Sequence, residues 1–304
     1  MNKDMEYIQF LKEIQERVET HFNGKVKGEV CTSTKNNGVA VTGLMLKGEE
    51  ERVAPNFYLD NQFVEWMRGL CTLENIAEKL CNAYQEEIEK NSQLVSKIQF
   101  SWEEFRRNVF LRLVNKEKNK ELLDTIPHRT FLDLAIVYYY VVPISDDVMG
   151  TLVITGEHMD LLQISEEELH QTAISNCERF QPVRVRCMED LLYDLGRRVG
   201  VEVHEVKECH PFLFVMTNRK GSFGASALIF EDELEYFSHR INNSFYVLPS
   251  SVHEVILVPA NQEFSVDYFR SMVKEINETQ VDATEVLSDN IYFYDKETKV
   301  LSIC

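Results

Sequence analysis

Ser250-Ser251-Val252-His253-Glu254 places the side-chain types of a nucleophilic triad within five residues. In a working triad the base accepts the hydroxyl proton while a third group orients it, and the three usually come from separate elements. Here His253 follows Ser251 by two positions, on one strand face at best, and no Gly-x-Ser-x-Gly elbow exposes the serine. The segment reads instead as a turn in which Pro249 and the serine hydroxyls satisfy backbone groups. Cys209-His210, with Cys177, Cys187 and His204, offers zinc-ligand types. Structural zinc sites usually have roughly two to four residues between paired cysteines, or roughly three to five between paired histidines, so that a short loop holds two ligands at tetrahedral angles, and no such pair occurs among these cysteines. No catalytic residue, metal or cofactor is therefore expected.

Two further constellations concern binding. Arg219-Lys220-Gly221-Ser222-Phe223-Gly224 has Gly-x-x-Gly spacing between two strands. It is too short for a phosphate loop, but Arg219, Lys220 and free turn amides could hold an anion. Asp133 opens an apolar run, Leu134–Val142, close to His128 and Arg129. A partly buried aspartate needs a partner, and Arg129 is the simplest, which makes Ile126–Leu134 a latch. Arg129, Asp133, Arg219 and Lys220 are thus the candidate binding residues. Tyr138, Tyr139 and Tyr140 read as core rings with polar tips outward. Asp146 and Asp147 in a turn, and Glu231, Asp232, Glu233 and Glu235 at a helix start, are the carboxylates a metal-assisted hydrolase or nuclease would draw on. A helix start also favours negative charge for its own sake.

These residues sit on a threefold pattern, in which a pair of apolar runs joined by a turn leads into an amphipathic helix. The first copy spans Lys25–Leu46, folded at Asn36-Asn37-Gly38, and passes through Phe57-Tyr58-Leu59 into Gln62–Leu70. The second runs Leu132–Val142, turns at Ser145-Asp146-Asp147, returns as Gly150–Thr155 and enters Glu157–Leu162. The third runs Phe212–Thr217, turns at 218–221, returns as Gly224–Phe230 and enters Glu231–Ile241. Asn-Gly turns tolerate positive φ and suit tight hairpins.

Around these units, apolar spacing predicts helices over 3–22 and 63–84, the latter broken near Gly69–Thr72. The boxes Ser101–Glu104 and Ser165–Glu168 predict helix starts, the first opening a helix through Phe105, Val109 and Leu113. Met188–Leu195 reads as a helix closed by Gly196, and Ser265 caps another through Ile276. Phe245–Leu248 and Glu254–Val258 read as strands, and Ile291–Tyr294 with Val300–Ile303 as a last hairpin. Lys90–Phe100 and Arg179–Val183 carry no clear pattern. The expectation is an α+β fold, mainly antiparallel sheets built from hairpin–helix units with helices on the sheet faces. A soft boundary near Leu123–Pro127 gives regions 1–124 and 125–304.

Composition narrows function. The 304 residues include eighteen Phe and twelve Tyr, enough to build a core rather than a disordered chain. The formal charge of −18 repels phosphate backbones, so nucleic acid is an unfavoured partner. Ser101–Lys120 is locally basic, through Arg106, Arg107, Arg112, Lys116, Lys118 and Lys120. No apolar run approaches the ~20 residues of a membrane span, and the first residues lack a secretion signal. Seven dispersed cysteines suit a reducing compartment, so the cytoplasm is expected.

Taken together, four blocks resemble a known family. They are Asn36–Val39 with Gly43-Leu44 and Ala54–Leu59; Ile126–Arg129 with Leu132–Ala135; Tyr246–Ser251 with His253–Val255; and Leu287–Tyr292. In these blocks the chain resembles an uncharacterised Firmicutes family, seen in gut clostridia and often in mobile elements, and classed only as a domain of unknown function. The resemblance carries over no activity, cofactor or catalytic residue, and implies an accessory or defence-related role. The functional expectation is a non-catalytic interaction or accessory protein with a protein partner, the alternative being the carboxylate-based hydrolase.

Overall fold

Phe10, Leu11, Ile14 and Val18 form one stripe of helix α1 (Lys3–His21) and are each at most 1% exposed, as their helical spacing requires. The computed structural model that shows this describes residues 3–49, 54–95, 101–143, 149–199, 213–261 and 264–304. Contacts divide the chain into two units. Unit 1 comprises described residues within 1–35, 39–99 and 143–150, and unit 2 those within 36–38, 100–142 and 151–304. Residues 101–124, drawn with the N-terminal region from sequence, group with unit 2 by their contacts.

In unit 1, strands β1 (Val26–Thr34) and β2 (Ala40–Gly48) pair antiparallel from Val26↔Gly48 to Thr34↔Ala40, and β3 (Asn56–Phe57) adds to β2. Helices α2 (Asp60–Met67) and α3 (Leu73–Val95) follow. Gly69, at φ 70°, breaks the helical path between them. The α1 stripe, Val26, Leu44 and Leu46 of the sheet, and Phe63, Ile76, Leu80 and Tyr84 of the helices make one core.

Unit 2 opens with a single helical turn, α4 (Trp102–Phe105), and then strand β4 (Val109–Asn115). The helix expected through Leu113 is therefore a strand. Ser101 makes no side-chain cap bond, and Val109–Asn115 instead pairs along β6 (Leu134–Pro143), where long-range ladder bonds and apolar burial outweigh the local helix signal. After α5 (Lys120–Leu123), β5 (His128–Phe131) joins the other edge of β6, and β7 (Met149–Val153) also pairs with β6. Helices α6 (Gly156–Leu162) and α7 (Glu166–Phe180) come next, α7 capped by Ser165 Oγ accepting from Glu168 N at 3.2 Å.

The remaining strands form an antiparallel sheet in the order β13-β12-β10-β11-β9-β8. Its members are β8 (Val183–Cys187), which the sequence reading left unassigned, then β9 (Phe214–Asn218), β10 (Phe245–Leu248), β11 (Val255–Pro259), β12 (Tyr292–Asp295) and β13 (Val300–Ile303). Helix α8 (Met188–Val199) continues through Gly196 rather than ending there, a glycine costing only about 1 kcal/mol inside a helix. Helices α9 (Glu231–Ile241) and α10 (Val266–Thr279) complete the unit.

The α+β class and the antiparallel sheets agree with the sequence reading, and two of the three hairpin–helix units are present. The tip of the second, Ser145–Asp147, lies outside the described residues. The third is different: Gly224–Ile229 is a buried 3-10 segment, not a returning strand. Both edges of β9 are already taken by β8 and β11, so no ladder is open to it. Gly224 enters this segment so tightly that a Cβ would lie 2.1 Å from Thr217 Oγ1 and 2.5 Å from the His253 carbonyl. Gly224→Ala should therefore destabilise the protein by about 1–3 kcal/mol, while Gly156→Ala, with nothing within 4 Å of the added atom, should be neutral or stabilising. Urea midpoints of the two variants check the contrast.

Candidate functional site

Asp133 was expected at a strand start beside Arg129. It occupies the second position of the two-residue β5–β6 turn, after Leu132 at φ 55°. Its carboxylate accepts from Ser288 Oγ at 2.6 Å and Asn290 Nδ2 at 2.9 Å on one oxygen, and from Tyr292 OH at 2.6 Å on the other. Burial and the neighbouring carboxylate push the Tyr292 phenol well above its ordinary pKa, so it stays a donor. The 288–290 loop is pinned from its far side by Asn277 of α10, which donates to the Ser288 carbonyl and to Asp289. Asn115 Nδ2 donates to Leu287 O, and the turn residue Asn37 donates to Ala283 O and Val286 O.

Arg129 pairs elsewhere, so the expected latch does not form. Its guanidinium holds Glu167 at 2.5 Å, with Glu166 at 3.7 Å, because β5 directs it toward the first turn of α7. Beside it, Tyr138 OH and His170 Nδ1 share a 3.0 Å hydrogen bond. Burial, reinforced by the Arg129 charge, lowers the His170 pKa, and burial raises that of Tyr138.

The 218–223 turn offers no free amide cradle. Arg219 N donates to Pro182 O, Gly221 N to Asn218 O, and Lys220 N and Ser222 N both to Asn218 Oδ1. Phe223 N donates to His253 Nδ1 at 3.2 Å, and His253 Nε2 lies 3.2 Å from Glu285. Both ring nitrogens are therefore engaged, while Ser251 Oγ accepts from His253 N in a local turn. The Asn218 side-chain oxygen already accepts the Lys220 and Ser222 amides that an anion would draw on. Cys209, His210 and His204 lie outside the described residues, as do Asp146 and Asp147. Among the described residues, no group of three or more His, Cys, Asp or Glu is placed to hold a metal ion.

The basic segment 101–120 presents no stripe, since it is not a helix. Arg106 pairs with Glu103 at 3.1 Å and Lys116 donates to Thr130. Arg112 lies half-buried over the Phe223 ring, 4.8 Å from its centre, with no acceptor for its Nε among the described residues. Burial lowers its pKa.

Two surface concavities among the described residues bear on function. In unit 2 a cleft of about 370 Å³ has Ile174, Val183, Ile229 and Phe230 in its lining and Glu178, Glu231, Asp232 and Glu233 at the same site. Cys177 also lines it, with its thiol pushed up to about 12 by burial, which removes the thiolate a nucleophile would need. In unit 1 a groove of about 360 Å³ lies between Met5, Glu6, Gln9, Phe10 and Glu13 of α1 and Trp66, Met67 and Leu73. The Phe10 and Trp66 rings sit 5.4 Å apart there, and Met5 and Met67 are 65% and 55% exposed. The sequence reading missed this groove. Met5, Gln9 and Glu13 at four-residue spacing on a helix carried a signal for it.

An α+β protein with internally satisfied polar clusters and an open apolar groove is the class these features define. The chain belongs to a family of unknown function, DUF5688, whose model matches residues 7–296. No curated protein and no solved structure matches it. Among the described residues no helix is long and apolar enough to cross a membrane.

Removing the Asp133 carboxylate leaves three donors without an acceptor. Asp133→Ala and Tyr292→Phe should each destabilise by about 1.5–3 kcal/mol, and the double variant should cost less than their sum. A denaturation cycle giving strict additivity would sink the assignment. For His170 the folded pKa lies below the unfolded value, so the unfolded chain takes up the proton first and stability falls as pH drops through about 6.5. His170→Gln should flatten the fall in urea midpoint between about pH 7 and 5.

Proposed function

We propose that this protein is a non-catalytic interaction protein of the cytoplasm that docks a protein partner through the α1–α2 groove of unit 1. The observation that carries this reading is the groove itself. Its floor is aromatic, and Met5, Met67 and nearby Leu70 (71% exposed) leave apolar surface in water that a monomer gains nothing by exposing. Methionines at its mouth are flexible and polarizable, suited to repacking around a partner's side chains. The polar constellations support the same reading from the other side, since Asp133, Arg129 and His253 each spend their hydrogen-bonding capacity on the scaffold. Six free, dispersed cysteines among the described residues suit a reducing compartment.

A second reading, the carboxylate-based hydrolase, draws on the acidic cleft of unit 2. Its four acids include Glu231, Asp232 and Glu233, which also open α9 and complement that helix's dipole. Without a metal-holding group or an activated nucleophile among its lining residues, it ranks behind the groove.

A photo-crosslinking amino acid placed at Met67 separates the two. In the native host it should yield one discrete protein adduct, with none from the same probe at Tyr236, an exposed residue of α9. Adducts from Tyr236 alone, or from neither position, would count against docking at the groove.

A further inference from the structure

We infer that the groove accepts an amphipathic α-helix of a partner protein, with an apolar stripe flanked by lysines and arginines. The inference rests on the docking reading above and specifies what docks.

The walls argue for a helix. Both are helical, α1 on one side and α2 with the first residue of α3 on the other, so the described walls offer helix faces and not a strand to pair with. An extended peptide would meet no open strand edge there and would leave its own polar groups without a ladder. A helix arrives with its backbone paired internally and presents side chains at i, i+3 and i+4. From Glu6 to Glu13 the α1 wall covers about two turns, or about 10 Å, enough for two or three such anchors.

Charge argues for a basic flank. Among the described residues, the lining contains Glu6 and Glu13 and no cation. Glu13 lies 3.3 Å from Arg17, but Arg17 is shared with Glu74, also at 3.3 Å. Glu6 is half-buried and has no partner among the described residues. With a net charge of −18 behind it, this rim attracts lysine and arginine and repels phosphate-rich surfaces, whether nucleic acid or anionic lipid. A second copy docked across a two-fold axis would bring the same glutamates together, so self-association is disfavoured on the same ground.

The test uses the full chain with Trp102→Phe, leaving Trp66 in the groove as the remaining tryptophan. Its fluorescence is followed while three synthetic peptides of about four turns are added: a Leu/Lys helix, a Leu/Glu helix with the same apolar stripe, and the Leu/Lys composition in scrambled order. The Leu/Lys helix should give a saturable blue shift that weakens with salt, and the Leu/Glu helix should bind about tenfold more weakly or worse. The scrambled peptide should not saturate, and Glu6→Lys with Glu13→Lys should invert the charge preference. Equal binding of the Leu/Glu helix overturns the proposal but leaves the groove as a docking site. No response to any peptide, while Met67 still crosslinks to a host protein, overturns the helical partner and spares the docking reading. Failure of peptides and crosslinking together removes both. A dimer in sedimentation that Met67→Glu abolishes makes the occupant a second copy and overturns the proposal.

Discussion

One carboxylate ties the two sheets of unit 2 together. Asp133 sits at the tip of the β5–β6 hairpin and is gripped by Ser288, Asn290 and Tyr292, the last being the first residue of β12 in the other sheet. A charge drawn partly out of water must be matched by donors, and donors as buried as Tyr292 and Ser288 must be matched by an acceptor. Each side therefore fixes the other. The 282–292 loop that supplies the donors is held by Asn37, Asn115 and Asn277, and it bonds backward to Pro249 and Ser250. The four sequence blocks that carry the family resemblance all send residues to this place.

That closure shapes what is left for function. Arg129, His170 and Tyr138 form one satisfied cluster, and His253, Phe223 and Asn218 form another. Groups so engaged are poor candidates for chemistry, because using them means first breaking the bonds that hold the fold. The exposed apolar groove of unit 1 carries no such obligation. Its exposed members, Met5 and Met67, can turn to a partner while Phe10 stays in the core beneath them.

Regular elements followed their local signals wherever those signals agreed with the neighbours. The α1 stripe, the Asn36–Gly38 turn with Asn37 at φ 62°, the Ser265 cap and the β12–β13 hairpin all formed as their residues suggested. Departures came where a distant strand competed. The helix that opens after Ser101 lasts one turn before the chain turns to pairing with β6, and the expected return strand at Gly224 found β9 occupied on both edges. Val183–Cys187 alternates apolar residues with two arginines, a short period-two signal left unassigned from sequence, and it forms a strand along β9.

The candidate site was far less legible than the fold. Residue types and periodicity determined an acidic α+β chain with antiparallel sheets, and they already set aside a local Ser–His–Glu triad on spacing. They could not assign partners to Asp133, whose donors lie more than 150 residues away (Ser288, 155 positions on, is the nearest in sequence). Nor could they show that Asn218 would fill its own turn, or that Met5, Phe10, Trp66 and Met67 would line one groove. Periodicity records which face of an element is apolar, a local property of the chain. Which faces end up covered, and which stay open to water, depends on how distant elements pack, and that only the tertiary structure decides.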